Sequence, residues 1–560
     1  MPLKPGLRSL VGLVAAKRQA DAGSSPCSGP PVRAVSPRHM GGPRALARYA
    51  LGVAIVAGSS AFGAAPVAAE TAPASPAVCS QARLQEILGP GATVETVAKV
   101  AASAAQPAYC AVTGYIERGG KIGFTLGLPD QWNRKFLFFG VGGFAGKASP
   151  LDAGLARGYA TASTDTGHTG SSTDGKWALG DPAAIRNHFE VAVDIAAATM
   201  KQATAAYYGI VPAHAYFDGC SGGGRQGLIE AQRFPDTFDG VISGAPAWNY
   251  TKVMMRFLES AKLIRQSPQN RIAPEVFGAI DREVLRQCDK ADGLADGIVM
   301  DPPACRADLG RLLCKPDSAP GSCLTKAQLA VVEQLTRPGY ARPGSGFHGI
   351  VLTGTDGRDL GWHPWLFGVP AAVPGLELPA DQSIGAQLGV EFIRNMVMND
   401  PRYDWTRFTI AGDSSTIDRA LGDLPNADAT NMNVFFRRGG KLLLWHGWAD
   451  PGIPPGMSID LYERIRRDTK GPLAEPIDTS VRLFMAPGMQ HCAMGSGLTE
   501  FDRLSALEAW VERGQAPETI LATQMVNGRP VRTRPLCAYP KVARFKGSGD
   551  PDAAGSFECR

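Results

Sequence analysis

The sequence predicts an α/β protein in which a parallel sheet carries helices on both faces and one large insertion interrupts the sheet. Three observations support this prediction. Strand-like apolar runs alternate with helical stretches as far as about residue 247, and such alternation is typical of a parallel sheet. Between residues 248 and 433 the alternation stops, and proline, glycine and four cysteines punctuate the chain. The alternation resumes at residues 441–445, so the intervening segment is interpreted as an insertion into one domain.

Each predicted element follows from a local pattern. The strands are short runs of β-branched, aromatic and other apolar residues bounded by glycine or proline. The helices are longer, and one of them ends before Pro235. In chain order, the predicted strands cover residues 122–126, 135–139, 159–165, 214–217, 240–246, 441–445, 481–485 and 520–525. The predicted helices cover residues 182–208, 224–234, 456–467 and 500–514.

The first 69 residues differ from the rest of the chain. Two arginines precede an apolar run at residues 49–62, and small residues follow it up to Ala69. This order predicts a secretory signal peptide with cleavage near Ala69. The run is too short to predict a membrane span, so no stable membrane anchor is expected after cleavage. Either Met1 or Met40 could be the translation start.

Charge and cysteine content narrow the class of protein further. Without the leader, 49 Lys and Arg face 51 Asp and Glu, and no basic run is interleaved with aromatic residues. A nucleic-acid partner is therefore not expected. Ten cysteines remain, and an even number in an exported chain predicts disulfides and a secreted or periplasmic location. No C-x-x-C motif is present, which argues against a zinc ribbon or a thioredoxin-like site. The sequence does not indicate the oligomeric state.

The central motif is the G-x-S-x-G pattern around Ser221, which follows the predicted strand at 214–217 and precedes the predicted helix at 224–234. Strand, tight turn and helix form the nucleophile elbow of an α/β-hydrolase fold, which exposes the serine hydroxyl at a helix N-terminus. A Gly/Ser-rich loop that matches the pattern by chance is the alternative. With an elbow here, residues 70–247 and 434–560 form the catalytic domain, and residues 248–433 form a lid domain over the serine.

The remaining catalytic residues follow from chain order, because α/β-hydrolases place the acid and then the histidine after the serine. Asp450 comes just after the strand at 441–445, and His491 comes just after the next strand. Strand C-termini meet at one edge of the sheet, so Ser221, Asp450 and His491 are predicted to form a catalytic triad. His446 precedes the acid; it is predicted to line the pocket, and the alternative is a hydrogen-bonded residue behind the site.

A glycine-rich loop is a candidate for stabilising an oxyanion. Glycines at residues 140–146 follow a predicted strand, and such a loop can supply a backbone N–H to an oxyanion, although a plain glycine turn has the same pattern.

Cys220 adjoins Ser221 and Cys492 adjoins His491. A bond between these cysteines would tie the nucleophile to its base. The alternative, that Cys220 is itself a nucleophile, is disfavoured by export.

An acidic loop in the insertion is a candidate cation site. Asp289, Asp292 and Asp296 lie within eight residues, with glycines between them. Their carboxylates, together with the carbonyls of Leu294 and Ile298, would give Ca²⁺ five oxygen ligands. The spacing is not that of an EF-hand, and a pair of solvated Asp-Gly turns is the alternative.

Taken together, residues 219–227, 446–450 and 490–492 resemble the motifs of the tannase and feruloyl esterase family, which also contains mono-hydroxyethyl terephthalate hydrolase. The likeness runs from about Cys79 to Cys559. It implies an α/β-hydrolase fold, esters of gallic, ferulic and related aromatic acids as substrates, and a lid holding structural Ca²⁺. It implies that Gly222 and either Gly142 or Gly143 donate to the oxyanion. The implied disulfides are Cys79–Cys110, Cys220–Cys492, Cys288–Cys305, Cys314–Cys323 and Cys537–Cys559.

One position departs from the family pattern. The family commonly has threonine after the serine, and the terephthalate enzyme has an acid, whereas this chain has Gly222. The preferred acid therefore cannot be transferred from one member. The predicted function is a secreted serine carboxylic ester hydrolase that cleaves aromatic-acid esters through an acyl-enzyme. The alternatives are a terephthalate-monoester hydrolase and a non-catalytic, calcium-stabilised secreted binding protein.

Overall fold

The computed structural model describes residues 77–337, 347–368, 382–470 and 476–560. The predicted leader, its cleavage point at Ala69 and both candidate start methionines lie outside the described residues. Within those residues, no helix is long and apolar enough to cross a bilayer.

A nine-stranded mixed sheet organises the fold. Its strands are β1 (Ala92–Val100), β2 (Tyr109–Glu117), β3 (Lys121–Pro129), β4 (Lys135–Phe139), β5 (Ala160–Thr164), β6 (His214–Cys220), β7 (Gly240–Gly244), β8 (Lys441–Gly447) and β9 (Val481–Ala486). The spatial order is β1-β2-β3-β5-β4-β6-β7-β8-β9. The first four strands in this order are antiparallel, and those from β5 to β9 are parallel.

Burial along the strands matches this arrangement. Buried and partly exposed residues alternate along β2, as expected for a strand with only one face in the core. Every residue of β5, β7 and β9 is buried, which is typical of parallel strands covered by helices on both faces. The α/β-hydrolase fold predicted from the sequence is confirmed.

Thirteen α-helices lie among the described residues. They are α1 (Gln81–Leu88), α2 (Asp152–Leu155), α3 (Pro182–Arg186), α4 (Ala192–Tyr208), α5 (Gly222–Arg233), α6 (Tyr250–Arg265), α7 (Pro274–Cys288), α8 (Lys326–Thr336), α9 (Ile384–Glu391), α10 (Ile410–Leu421), α11 (Asn433–Arg437), α12 (Gly456–Asp468) and α13 (Arg503–Arg513). The predicted helix at residues 182–208 is α3 and α4 joined through a π-helical turn, Asn187–Val191.

The segment between β7 and β8 contains α6 to α11, and its described residues add no strand to the main sheet. Helix α9 packs against α6 at two glycines. A Cβ on Gly385 would lie 2.6 Å from the ring of Phe257, and one on Gly389 would lie 3.1 Å from Leu258. Because glycine has no side chain, these two positions allow α9 and α6 to approach closely. The bounds of the lid, residues 248–433, remain a prediction.

The end of the chain differs from the prediction. The strand predicted at 520–525 was expected to continue the main alternation, but β11 (Thr519–Val526) belongs to a separate antiparallel sheet with β10 (Glu500–Phe501) and β12 (Arg529–Cys537). Asn527 and Gly528 join β11 to β12 with φ values of 51° and 72°. This Asn-Gly pair is a strong hairpin signal, and it directs the strand to an antiparallel neighbour. A two-stranded sheet, β13 (Ala543–Phe545) with β14 (Phe557–Cys559), follows.

All ten cysteines in the described residues form disulfides, in the five pairs that the family resemblance implies. The pairs are Cys79–Cys110, Cys220–Cys492, Cys288–Cys305, Cys314–Cys323 and Cys537–Cys559.

Candidate active site

Ser221 occupies a strained turn between β6 and α5. Its φ is 63°, in the left-handed region that residues with a side chain seldom adopt. The turn is tight enough that a Cβ on Gly219 would lie 2.6 Å from the backbone of Gly223. The glycines of the motif therefore make room for a turn that presents the serine at the N-terminus of α5, as the sequence predicts for a nucleophile elbow.

Asp450 and His491 meet at the same edge of the sheet. Nδ1 of His491 lies 2.7 Å from Oδ2 of Asp450. The other carboxylate oxygen accepts backbone N–H bonds from Gly452 at 2.8 Å and Ile453 at 2.9 Å. The carboxylate is thus held in one orientation, and the imidazole is oriented by the carboxylate.

The charge state of Asp450 follows from its neighbours. The side chain is fully buried, and burial alone would raise its pKa. The nearby charge of His491 and hydrogen bonds from His446 and His491 have the larger combined effect, so the pKa of Asp450 lies well below its ordinary value. Asp450 is therefore an anion at neutral pH.

Ser221 and His491 line one cavity. Among the described residues, no hydrogen bond joins the serine hydroxyl to the imidazole. Because Nδ1 of His491 is engaged by Asp450, Nε2 is the nitrogen available to the serine. Catalytic hydrogen bonds often form fully only when substrate binds, so the absence of this bond is compatible with Ser221 as the nucleophile and His491 as its base.

The oxyanion prediction left two glycines open, and both lie near the serine, since a Cβ on Gly142 would be 3.9 Å from Cβ of Ser221. Gly143 and Gly222 line the cavity together with Ser221, whereas Gly142 is not among the described residues that line it. Gly143 has a φ of 57°, and a Cβ there would lie 2.3 Å from the carbonyl oxygen of Ser172. Only glycine fits this position. A Cβ on Gly222 would lie 3.2 Å from the carbonyl oxygen of Gly143, so the two backbones converge beside the serine.

His446 does not line the pocket, and that prediction is wrong. Its side chain is fully buried, with Nδ1 2.7 Å from Oγ of Ser458. Nε2 lies 3.1 Å from Oδ2 of Asp450 and 2.9 Å from the carbonyl oxygen of Ile453. The imidazole is therefore a hydrogen-bonded support behind Asp450, which is the alternative that the sequence left open.

The bond between Cys220 and Cys492 ties the serine turn to the histidine loop, with a Cα–Cα distance of 5.8 Å. Cys220 is not a free thiol, so the alternative that it acts as a nucleophile is excluded. The bond joins the immediate neighbours of Ser221 and His491 and therefore limits how far these two residues can separate.

The rest of the cavity wall comes mainly from the insertion. One face of α6 contributes Tyr250, Val253, Met254 and Phe257, at the i, i+3, i+4 and i+7 spacing of a helix. The ring of Trp365 lies edge-on to His491, with centroids 4.8 Å apart. Ala247, Leu388 and Ile453 complete the apolar wall.

Sequence reasoning missed these wall residues. The spacing along α6 could have indicated a buried face, but nothing in the sequence indicates that this face borders Ser221. The cavity holds only about 20 Å³, far less than the several hundred Å³ of typical ligand sites. The cavity in this structure is therefore smaller than a bound aromatic ester.

The acidic loop brings its carboxylates into one region. Asp289 accepts the N–H of Gly297, at 3.0 and 3.1 Å, and Asp292 accepts that of Leu294 at 3.0 Å. Oδ2 of Asp296 pairs with Arg534 at 2.7 Å. Burial, together with the charges of the neighbouring aspartates, raises the pKa of Asp289 and raises that of Asp292 to about 6.

No group of three or more His, Cys, Asp or Glu side chains in the described residues is arranged to hold a metal ion. The carboxylates of Asp289, Asp292 and Asp296 therefore do not form a ligand set as they stand, and a cation at the acidic loop would require them to reorient, with main-chain carbonyls completing the ligands. The available donors are all oxygens, which is the ligand chemistry of Ca²⁺.

Comparisons with known proteins identify the family of the chain. Residues 110–560 match the family model described as tannase and feruloyl esterase. An uncharacterized esterase from Xanthomonas campestris pv. campestris is 35% identical over 501 residues, which cover 81% of this chain and 85% of the relative. A mono(2-hydroxyethyl) terephthalate hydrolase from Piscinibacter sakaiensis is 30% identical over 533 residues, with coverage of 82% and 86%. The crystal structure of feruloyl esterase B from Aspergillus oryzae superposes with a TM-score of 0.74 at 24% identity and covers 85% of this chain and 100% of that structure.

Proposed function

The chain belongs to the tannase and feruloyl esterase family and is a carboxylic ester hydrolase, and we propose that it is a secreted serine esterase that cleaves esters of aromatic acids. One observation supports this most strongly. Asp450 orients His491 through a 2.7 Å hydrogen bond, and His491 borders the same cavity as the strained Ser221.

The proposed reaction proceeds through an acyl-enzyme. Oγ of Ser221 attacks the ester carbonyl carbon while Nε2 of His491 takes the hydroxyl proton. The N–H groups of Gly143 and Gly222 stabilise the resulting oxyanion. The intermediate expels the alcohol, which leaves with the proton from His491, and the acyl group stays on Ser221. Water, deprotonated by His491, then attacks the acyl carbon, and the acid is released as His491 returns the proton to Oγ of Ser221. Asp450 stabilises the imidazolium in both halves of the reaction.

The cavity wall supports an uncharged acyl group. Apart from the triad, the described residues that line it are glycines, aliphatic or aromatic side chains and methionine, and none carries a positive charge. Phe257 and Trp365 stack with ring centroids 5.9 Å apart and provide an aromatic surface. A terephthalate monoester is the second candidate substrate, because one relative is named for hydrolysing it. Its free carboxylate would be buried here without a cationic partner.

A panel of aromatic esters separates the two candidates. We expect kcat/KM for dimethyl terephthalate, methyl ferulate and methyl gallate to exceed that for monomethyl terephthalate by about 100-fold at pH 7, because burying an unpaired carboxylate is costly. Dimethyl terephthalate is the matched control, since it differs from the monoester only by the missing charge. Equal or faster turnover of the monoester would favour terephthalate-monoester hydrolysis. A failure to cleave any ester in the panel would contradict the proposed substrate class.

We further propose that Ca²⁺ binds the acidic loop through the carboxylates of Asp289, Asp292 and Asp296 and the carbonyls of Leu294 and Ile298. The support is the all-oxygen donor set and the negative charge of three carboxylates in a short, partly buried segment. A bound cation would neutralise this charge and hold the loop, which lies at the C-terminal end of α7. The ion takes no part in the ester chemistry.

Removal of the ion tests this proposal. We expect EDTA to lower the melting temperature by about 5 °C, because a ligand bound only to the folded state stabilises it. Excess Ca²⁺ should restore the melting temperature and Mg²⁺ should not. The variant Asp292→Asn should melt low and should not respond to EDTA. An unchanged melting temperature after chelation would contradict the site.

We also propose that the protein is secreted or exported to the periplasm. Five disulfides form and persist in an oxidising compartment.

A further inference from the structure

Among the described residues that line the active-site cavity, Tyr250 is the one from the insertion that carries a hydroxyl group. It is the first residue of α6, and it shares the cavity-facing side of that helix with Val253, Met254 and Phe257. The other three side chains of this face are apolar. Tyr250 is therefore the residue of this helix face that carries a hydroxyl group.

The hydroxyl of Tyr250 is buried and has no hydrogen-bond partner among the described residues. The residue is only 2% exposed. The ring is held edge-on by Phe189 at 5.2 Å and by Phe392 at 5.9 Å between centroids. These contacts hold the ring in place, but neither provides a hydrogen-bond partner for the hydroxyl oxygen.

The nearest cation does not satisfy the hydroxyl either. The guanidinium of Arg225 lies 5.7 Å from the ring centroid of Tyr250. Its hydrogen bonds go to the carbonyl oxygens of His188, Phe189 and Pro425. Arg225 thus packs against the ring without pairing the oxygen.

An unpaired buried hydroxyl is unfavourable, by about 1–3 kcal/mol, and buried polar groups in native proteins nearly always have a partner. Tyr250 lines the cavity of Ser221, so the missing partner can be a group of the bound substrate. Burial also raises the pKa of Tyr250, which keeps the phenol protonated and able to donate. The indole N–H of Trp365, across the same cavity, is likewise buried without a partner in the described residues.

We propose that Tyr250 determines acyl-group specificity by hydrogen bonding to an oxygen substituent on the aromatic ring of the substrate. The inference rests on the proposed function and narrows it: the preferred acyl group is an uncharged aromatic acid that carries a hydroxyl or methoxy group. A phenolic hydroxyl of the substrate can accept a hydrogen bond from the hydroxyl of Tyr250, or donate one to its oxygen, without bringing charge into the apolar cavity. A ring without such a group leaves Tyr250 unpaired, and the site therefore discriminates against it.

Matched esters test this inference. Methyl 3-hydroxycinnamate, methyl 4-hydroxycinnamate and methyl cinnamate differ only in the ring hydroxyl. We expect the wild-type enzyme to prefer at least one hydroxylated ester over methyl cinnamate by about tenfold in kcat/KM, the effect of one neutral hydrogen bond. Tyr250→Phe should reduce this preference to near unity, because the variant loses more activity on the hydroxylated ester than on methyl cinnamate.

Tyr462→Phe is the control, because Tyr462 is equally buried but lies on α12, outside the cavity. It should leave the preference unchanged. Wild-type enzyme without a preference for either hydroxylated ester would overturn the inference, as would a preference that survives in Tyr250→Phe. Thermal unfolding of the variant reports whether it folds, and if it does not, the wild-type preference decides alone. Wild-type enzyme that cleaves none of the three esters would refute the proposed function itself.

Discussion

Ser221→Ala is expected to lower kcat toward every ester by about 10⁶-fold, the scale of loss when the nucleophile of a serine hydrolase is removed. Alanine keeps the Cβ, so the strain of the turn at φ 63° is unchanged. The hydroxyl makes no hydrogen bond in the described structure that the fold would lose. The melting temperature and the binding of a non-hydrolysable ester analogue should therefore stay close to those of the wild type. The measurement is steady-state hydrolysis of methyl ferulate with product detection.

The control for this variant is Ser267→Ala, because Ser267 caps a short exposed helical turn outside the cavity. It should retain full activity. Hydrolysis by Ser221→Ala within tenfold of the wild type would contradict the serine mechanism. Absence of ester hydrolysis by the wild type as well would favour the non-catalytic, calcium-stabilised binding protein.

Asp450→Asn is expected to lower kcat by about 10⁴-fold at pH 7, because the triad aspartate selects the imidazole tautomer. Oδ2 of Asp450 faces Nδ1 of His491 and Nε2 of His446. Asparagine keeps one oxygen for the N–H groups of Gly452 and Ile453, and its amide nitrogen then faces the two imidazoles. His491 can no longer donate from Nδ1, and its Nε2 is protonated when it should accept the serine proton.

Asp460→Asn is the matched control for charge removal. Asp460 lies on α12 and pairs with Arg464 at 2.9 Å, away from the cavity. We expect kcat within about threefold of wild type, because a half-exposed ion pair contributes little. If Asp450→Asn retains more than a tenth of the wild-type kcat, Asp450 is not the acid of the triad.

The parts of the site that the sequence predicted share one physical basis. Ser221, Asp450 and His491 each follow a buried strand, and parallel strands bring their C-terminal ends to one edge of the sheet whatever the intervening chain does. The order of these residues along the chain was therefore enough to predict that they lie close together. The same argument failed for His446, because its position on β8 places it near Asp450 without saying which side of the carboxylate its ring occupies.

The parts that were missed depend on packing. Tyr250 and Trp365 reach the cavity because α6 and the turn His363–Phe367 lie against the catalytic edge of the sheet. No local pattern encodes that placement, since a helix face at i, i+3, i+4 and i+7 spacing indicates burial but not the partner. The assignment of β11 to the main alternation was wrong for a different reason, because the Asn527-Gly528 turn pairs β11 with β12 instead.

The bond between Cys220 and Cys492 has a topological consequence. Its cysteines are 272 residues apart and enclose the whole segment between β7 and β8. The insertion therefore lies within a closed covalent loop whose ends meet beside Ser221 and His491. Proteolytic cleavage at one point within that loop would produce two polypeptides still joined through sulfur, with the nucleophile and its base on opposite fragments but held together where the ends meet.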